Sequence, residues 1–183
     1  MIREELSHAL RAAATVAKDG KILVIGSQAI LASFGEDELP VETTLSVEVD
    51  LAFLDDPDER KSDLVDGMIG DGSQFHRTHA YYAQGVSVGT AVLPGGWETR
   101  VVPYQHPDSE PSKAVCLEPH DLVIAKLVAG REKDLEFATA LIGAGLVDPA
   151  TLRSRAETIP RPHAVVTAVL RRIDRSVRLA ELD

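Results

Sequence analysis

Glu48 and Asp50 are the residues of this sequence whose type and spacing most directly indicate chemistry. They lie in residues 45–54, LSVEVDLAFL, where apolar and polar side chains alternate. Alternation with period two is typical of a strand with one buried face, so both carboxylates project from the same side, about 7 Å apart at Cα. Such carboxylates repel each other unless a cation offsets their charge, and Mg²⁺ is commonly bound by one or two carboxylates together with substrate phosphates. The simpler alternative is a strand whose polar face is solvated.

Gly26 and Ser27 form a candidate phosphate-binding turn ahead of the acidic pair. They separate the apolar run KILVI (21–25), which predicts a buried strand, from QAILASF (28–34), which predicts a helix. Glycine lets a ligand approach the backbone, and the N–H groups at a helix N-terminus attract phosphate. The Ser27 hydroxyl could add a contact, although a Gly-Ser pair also occurs as a plain tight turn with a helix N-cap.

The elements that position these residues follow from hydropathy and turn residues. Helical spacing predicts helices over 2–18 and 58–69. Strand-like runs predict strands in five segments: 21–25, 45–54, 79–84, 86–93 and 97–104. A polar segment with two prolines, residues 105–113, is typical of a linker. Beyond it every element is predicted to be helical, with a first helix from Pro119 to the residue before Gly130 and three more after it.

We therefore predict an α/β (α+β) protein with two regions. Residues 1–112 would form a core around a small mixed sheet, and residues 113–183 a C-terminal helical bundle packed on that core. The length of 183 residues is ample for a hydrophobic core, and 44% hydrophobic and 26% charged residues exclude a disordered chain.

The charge distribution bears on the partners that the protein could bind. The chain has 19 basic and 29 acidic residues, a formal charge of −10, whereas dedicated duplex-binding proteins are far more basic. Residues 151–183 differ from the rest, because their seven basic residues outnumber their four acidic ones. This segment is either a phosphate-binding face or a solvated helix face. All seven are arginines: Arg153, Arg155, Arg161, Arg171, Arg172, Arg175 and Arg178.

Three features of the sequence favour a cytoplasmic protein. The single cysteine, Cys116, has no partner for an internal disulfide. The segment MIREELSHAL has acidic residues where a signal peptide has a basic region and an apolar run. No apolar stretch reaches the ~20 residues that span a bilayer.

Three motifs in this order resemble the nucleotidyltransferase fold. In that fold a Gly-Gly/Ser strand–helix turn, here VIGSQAILASFG, precedes a [ST]-x-[DE]-x-[DE] strand, here SVEVDLAF. The run EPHDLVIAKLVAGREKDLEFA is similar to the segment after the core in abortive-infection and minimal nucleotidyltransferase-like proteins, which include toxins of type IV toxin–antitoxin pairs. The resemblance covers about residues 20–145.

The resemblance implies a role for each matching residue. Glu48 and Asp50 would bind the metal, with Ser46 as the hydroxyl two residues before the first carboxylate. Gly26 and Ser27 match the turn that holds the nucleoside triphosphate (NTP). From the last motif, Lys126 would contact phosphate, and Arg131 and Asp134 would close the site as a basic–acidic pair.

Some positions depart from the family pattern or leave alternatives open. Glu48 stands where the family more often has Asp, and Thr44 where relatives often carry Arg. Glu98, on a predicted strand, either faces the acidic pair as a third metal ligand or lies on the rim. On a continuous helix Lys126 and Asp134 would share a face, but Gly130 is expected to interrupt that helix. The alternative for these two residues is a surface helix with ordinary ion pairs.

The function that the resemblance implies is transfer of a nucleoside monophosphate from an NTP to a macromolecule, with Mg²⁺ as cofactor. Toxin-like relatives indicate the 3′ end of tRNA as acceptor, held by the arginines of residues 153–178. Two alternatives remain. One is an antitoxin-like enzyme that nucleotidylates a partner protein. The other is a non-catalytic domain that binds a nucleotide or a partner, which the Glu48 departure makes credible.

Overall fold

A computed structural model describes residues 1–182 of the chain. Seven α-helices occur within these residues: α1 (Arg3–Ala17), α2 (Arg60–Ile69), α3 (Gln74–His79), α4 (Pro119–Ala129), α5 (Glu132–Gly143), α6 (Pro149–Ala156) and α7 (His163–Ala180). They accompany five strands: β1 (Ile22–Val24), β2 (Glu48–Phe53), β3 (Tyr82–Gly85), β4 (Val102–Pro103) and β5 (Val115–Cys116). No helix in this part of the chain is both long and apolar enough to cross a bilayer.

The five strands form one mixed sheet in the order β3-β2-β1-β5-β4. Strand β2 pairs antiparallel with β1 and parallel with β3, while β5 pairs parallel with β1 and antiparallel with β4. Apolar side chains of the sheet, α1 and the C-terminal helices form the hydrophobic core. The predicted α/β class with a small mixed sheet is confirmed.

Strand β2 has the two faces that alternation predicts. Val49 and Leu51 are completely buried, whereas Glu48 and Asp50 are partly exposed. Antiparallel pairing aligns Val24 with Leu51 and places the chain that leaves β1 beside the start of β2. The turn after β1 and the acidic pair therefore meet at one end of the sheet.

Several predicted elements of residues 28–104 are wrong in type. The segment after Gly26 is a 3₁₀ helix, Ser27–Ala32, rather than an α-helix. Its residues 28–31 are all buried, so hydropathy could not distinguish the helix type. The predicted strand 86–93 contains instead a 3₁₀ turn, Val88–Thr90, in which the Ser87 hydroxyl accepts a hydrogen bond from the Gly89 N–H. Helix α3 was not predicted.

The segment around residue 98 also differs from the predicted strand 97–104. Trp97–Thr99 is a 3₁₀ turn that follows Gly96, whose φ of +75° ends any extended run. The strand is reduced to the two residues of β4. Trp97, Val101 and Tyr104 pack in or against the core from this largely irregular segment, so a run that is strand-like in sequence forms only a short strand.

The prediction that everything after residue 113 is helical is wrong in one place. Strand β5 lies inside the sheet, between β1 and β4. The preceding segment packs on α1 through a 3₁₀ turn, Pro107–Ser109, and buries Ser109 and Ser112. The domain boundary after residue 112 itself stays a prediction.

The four C-terminal helices are confirmed. Helix α4 starts at Pro119 after the N-cap Glu118, whose carboxylate accepts hydrogen bonds from the N–H groups of His120 and Asp121. It ends at Gly130, which adopts a φ of +66°. This turn directs the chain from α4 into α5.

Candidate active site

A cavity of about 190 Å³ opens where the start of β2 faces helices α4 and α5. Its wall contains seven of the predicted site residues: Gly26, Ser27, Ser46, Glu48, Asp50, Lys126 and Arg131. Both regions of the chain contribute to it. The fold therefore brings together residues that are up to about a hundred positions apart in the sequence, and we call this cavity the cleft.

Gly26 makes room for the carboxylate of Asp50. A Cβ atom added to Gly26 would lie 1.9 Å from Oδ2 of Asp50, far inside van der Waals contact. Gly26 has a φ of −78°, which any residue can adopt. Glycine is needed here for space and not for its backbone freedom.

The acidic pair is under electrostatic strain. Burial, followed by the charge of Glu48, raises the pKa of Asp50 to about 6, although Lys126 and Arg131 act in the opposite direction. Tyr82 donates a hydrogen bond of 3.2 Å from its hydroxyl to Oε2 of Glu48. Burial and the same carboxylate raise the pKa of Tyr82 to about 12. A cation bound between the carboxylates of Glu48 and Asp50 would relieve their repulsion.

Ser46 and Gln28 fix the backbone at the start of β2, where Glu48 lies. The Ser46 hydroxyl lies 3.2 Å from both the N–H and the carbonyl oxygen of Glu48. The side-chain amide of the buried Gln28 donates to the Ser46 carbonyl at 2.9 Å. This hydrogen bond ties the 3₁₀ helix of the Gly26–Ser27 turn to the acidic strand.

Lys126 and Arg131 lie on the opposite wall, and Asp134, which does not line the cleft, connects them from behind. Asp134 is completely buried and lies 3.5 Å from Lys126 Nζ, while Arg131 binds it through Nε at 2.7 Å and Nη2 at 3.2 Å. Lys126 is 12% exposed and its ammonium lies 4.7 Å from the ring centroid of Phe137. The sharp turn at Gly130 produces the contact between Lys126 and Asp134, which spacing alone left open.

Burial and charge act against each other within this group. Burial lowers the pKa of Lys126, and Asp134 offsets only part of that effect. Burial would raise the pKa of Asp134, but the Arg131 hydrogen bonds and the Lys126 charge outweigh it and lower that pKa. Asp134 thus remains ionised and holds both cations toward the cleft.

A family comparison supports the general class of this cleft. Residues 2–161 match the sequence profile of a family described as "Nucleotidyltransferase of unknown function (DUF6036)". The chain belongs to this family. The matched range contains every predicted residue of the cleft. Searches of curated proteins and of solved structures found no match to this family member. The resemblance to abortive-infection and toxin proteins stays a prediction.

Two polar residues that line the cleft of this nucleotidyltransferase-family domain, Lys133 and Thr90, were not predicted. Lys133 lines the wall beside Arg131 and adds a third positive side chain. Its position two residues after Arg131, at the start of α5, was the available signal. Thr90 also lines the cleft, but it lies on a turn within the predicted strand 86–93, and no sequence pattern identifies it.

The prediction that Glu98 could be a third metal ligand has no support in the geometry. Glu98 is exposed on the 3₁₀ turn and is not part of the wall of the cleft. Within residues 1–182 no group of three or more His, Cys, Asp or Glu side chains could hold a metal. Glu48 and Asp50 are the carboxylates that line the cleft, so they are the residues that would hold a metal there. Two hard oxygen donors in a cavity shared with three cations fit Mg²⁺ that is bound jointly with phosphates.

The arginines of residues 151–182 do not form one face. Arg153 pairs with Asp174 at 2.9 Å, and Arg155 binds Glu118 and Asp121. Arg172 donates to the carbonyls of Leu127 and Val128 at the end of α4. The remaining arginines are exposed and form no ion pair with any of residues 1–182: Arg161, Arg171, Arg175 and Arg178.

Proposed function

We propose that this protein is a Mg²⁺-dependent nucleotidyltransferase that transfers a nucleoside monophosphate from an NTP to an RNA acceptor. The observation that carries the proposal is the meeting of two carboxylates with three cations in one cleft. Glu48 and Asp50 line the same cavity of about 190 Å³ as Lys126, Arg131 and Lys133. Carboxylates for a metal and cations for phosphate oxygens are the groups that transfer of a nucleotidyl group requires.

Each wall has a separate part in the proposed reaction. Glu48 and Asp50 would hold Mg²⁺, which when bound neutralises charge on the triphosphate. Lys126 supplies a point charge to the phosphate oxygens, and Arg131 supplies a planar donor. Asp134 orients both of these side chains through the contacts described above. Gly26 leaves the space in which Asp50 faces the cleft.

The bonds in this reaction are those of an in-line displacement. An acceptor hydroxyl oxygen bonds to the α-phosphorus, and the bond from that phosphorus to the β-bridging oxygen breaks. Pyrophosphate leaves, and the hydroxyl proton passes to solvent. The fixed cations are already in place for the charge that develops on the leaving pyrophosphate, so little reorganisation is needed.

The choice of RNA as acceptor rests on α7 and on the resemblance to toxin-like nucleotidyltransferases. Arg171, Arg175 and Arg178 are exposed and spaced four and three residues apart, so they lie along one side of the helix. Arginines in such a row fit the regularly spaced phosphates of a nucleic acid strand. The α4–α5 turn connects this helix to the cleft, because Arg172 packs directly against Gly130, next to Arg131.

Radiolabel transfer tests the proposal. Each of the four α-labelled NTPs is incubated with the protein and Mg²⁺, once with total RNA and once with total cell protein. We expect label in RNA that Asp50→Asn abolishes and that Asp63→Asn, on the exposed side of α2, leaves unchanged. Label in protein alone would indicate the partner-modifying enzyme instead. No label in either, from folded protein, would indicate a nucleotide-binding domain without catalysis.

A further inference from the structure

Glu48 and Tyr82 are neighbours across two parallel strands. The register of β2 and β3 aligns Glu48 with Tyr82 and Asp50 with Gln84. Aligned residues of adjacent strands project from the same face of a sheet, so their side chains meet. The Tyr82 hydroxyl donates to Oε2 of Glu48 at 3.2 Å, and this hydrogen bond fixes the far end of the longest acidic side chain in the cleft.

Tyr82 is itself held in place by its surroundings. Its N–H donates to the Val47 carbonyl at 3.1 Å. Its ring packs on the ring of His76, with 4.6 Å between the centroids. His76 belongs to α3, and its Nδ1 accepts a hydrogen bond of 3.1 Å from the N–H of Gly72. A hydroxyl on so constrained a ring can restrain the carboxylate that it contacts.

The length of Glu48 matches this contact. An aspartate at the same position would end one C–C bond earlier, roughly 1.5 Å further from the phenol oxygen. A hydrogen bond of 3.2 Å would then be broken. Glutamate has an additional rotatable bond compared with aspartate, and an unrestrained glutamate would lose more conformational entropy on binding a metal.

We infer that Tyr82 is a positioning residue for Glu48, holding its carboxylate in the orientation in which it binds the metal. The inference rests on the proposed function and deepens it. Groups that hydrogen-bond to metal-binding carboxylates orient them, and their removal weakens metal affinity. Glu48 and Tyr82 thus act as a matched pair, in which the hydroxyl compensates for the longer acidic side chain.

Mn²⁺ binding measured by electron paramagnetic resonance of the free ion tests this role without depending on turnover. Tyr82→Phe removes the hydroxyl and keeps the ring that packs on His76. We expect its Mn²⁺ affinity to fall about tenfold, as for other residues that support metal ligands. In the transfer assay, the Mg²⁺ concentration that gives half the maximal rate should rise by a similar factor in Tyr82→Phe. Excess Mg²⁺ should restore the rate.

Tyr81→Phe is the matched control. Its hydroxyl bonds His8 Nδ1 at 2.6 Å, and Tyr81 is buried outside the cleft. We expect Mn²⁺ affinity in Tyr81→Phe to equal that of the wild type, even where the melting temperature falls. Equal losses of affinity in the two variants would show a general structural effect and overturn the inference.

A double-mutant cycle with Glu48→Asp separates positioning from other roles of the hydroxyl. Because the shorter carboxylate lies beyond its reach, Tyr82→Phe should have no further effect on Mn²⁺ affinity in the Glu48→Asp background. A full tenfold effect in that background, or none in the wild type, would overturn the inference while leaving the proposed metal site intact. Mn²⁺ binding that is unchanged in Asp50→Asn would instead refute the metal site and the inference with it.

Discussion

Gly26 lies so close to Asp50 that a single methyl group on the glycine would overlap the carboxylate, with 1.9 Å between Cβ and Oδ2. We expect Gly26→Ala to displace Asp50 and to reduce transfer at least a hundredfold, since small displacements of catalytic groups have effects of this size. Alanine can adopt the backbone conformation of Gly26, so Gly26→Ala should have little effect on the free energy of unfolding even though it strongly reduces transfer. Parallel assays of transfer and of thermal unfolding would show this separation.

Gly67→Ala is the matched control for that substitution. Gly67 lies inside α2 with no atom within 4 Å of an added Cβ. Alanine there should raise the free energy of unfolding by about 0.5–1 kcal/mol through its helix propensity and leave transfer unchanged. A loss of transfer in Gly67→Ala similar to that in Gly26→Ala would contradict the local explanation.

Asp50→Asn should stabilise the metal-free protein. The pKa of Asp50 is raised from 3.8 to about 6, so its ionised form costs folding free energy at pH above 6. We expect the variant to gain roughly 1–3 kcal/mol at pH 7.5. The gain should shrink as the pH falls from about 6 towards 3.8, where Asp50 of the wild type becomes protonated. Urea denaturation without metal at several pH values measures it, and equal stability at pH 7.5 would argue against strain in the acidic pair.

Asp134→Asn should mainly reduce the stability of the fold, whereas Lys126→Met should mainly reduce NTP binding. Asp134→Asn leaves Lys126 buried without its charge partner and should reduce the free energy of unfolding by roughly 2–4 kcal/mol. Lys126→Met removes the charge but keeps an apolar stem against Phe137, so the fold should tolerate it better. NTP binding, measured by calorimetry, should nevertheless fall in Lys126→Met. If Lys126→Met binds NTP as tightly as the wild type, Lys126 is only a structural residue.

Glu118→Gln tests the acid sensitivity of the helical half. Burial alone would raise the pKa of Glu118, but His120 and Arg155 lower it to about 2. The stabilisation that Glu118 supplies is therefore complete above its ordinary pKa of 4.5 and disappears as the pH falls towards 2. We expect Glu118→Gln to lose about 1–2 kcal/mol at pH 7 and progressively less below pH 4.5, as followed by denaturant unfolding.

Charge reversal on α7 tests the RNA surface. Arg175→Glu combined with Arg178→Glu should weaken RNA binding and reduce the slope of log affinity against log salt by about 1 for each phosphate that the helix no longer neutralises. NTP binding should stay unchanged. Arg153→Glu is the control, because Arg153 is already paired with Asp174. An equal loss of RNA affinity in the control would indicate a general charge effect rather than a binding row.

The sequence identified those parts of the fold that depend on local signals. Pro119 and Gly130 bound α4 through their own backbone preferences, and both limits were predicted. Strand β5 was missed, because two residues carry no periodicity and become a strand only by pairing with β1 and β4.

The candidate site shows the same division. Alternation within one strand was enough to place Glu48 and Asp50 on one face. The contact of Lys126 with Asp134 depends on the turn at Gly130, and that of Tyr82 with Glu48 depends on strand register. Thr90 reaches the cleft from a turn whose conformation is set by tertiary packing. Such relationships appear only when separate segments fold against one another.

The strand order also has a consequence for a chain that is still being synthesised. Strand β1 has an unpaired edge until β5 emerges, and an open edge of this kind promotes association with other chains. Over the same interval the acidic strand β2 is complete, while Lys126, Arg131 and Lys133 have yet to be translated. The acidic and basic side chains of the cleft therefore meet only late in biosynthesis. A nascent chain that stalls before α4 has the repulsion between Glu48 and Asp50 without the basic residues that balance it.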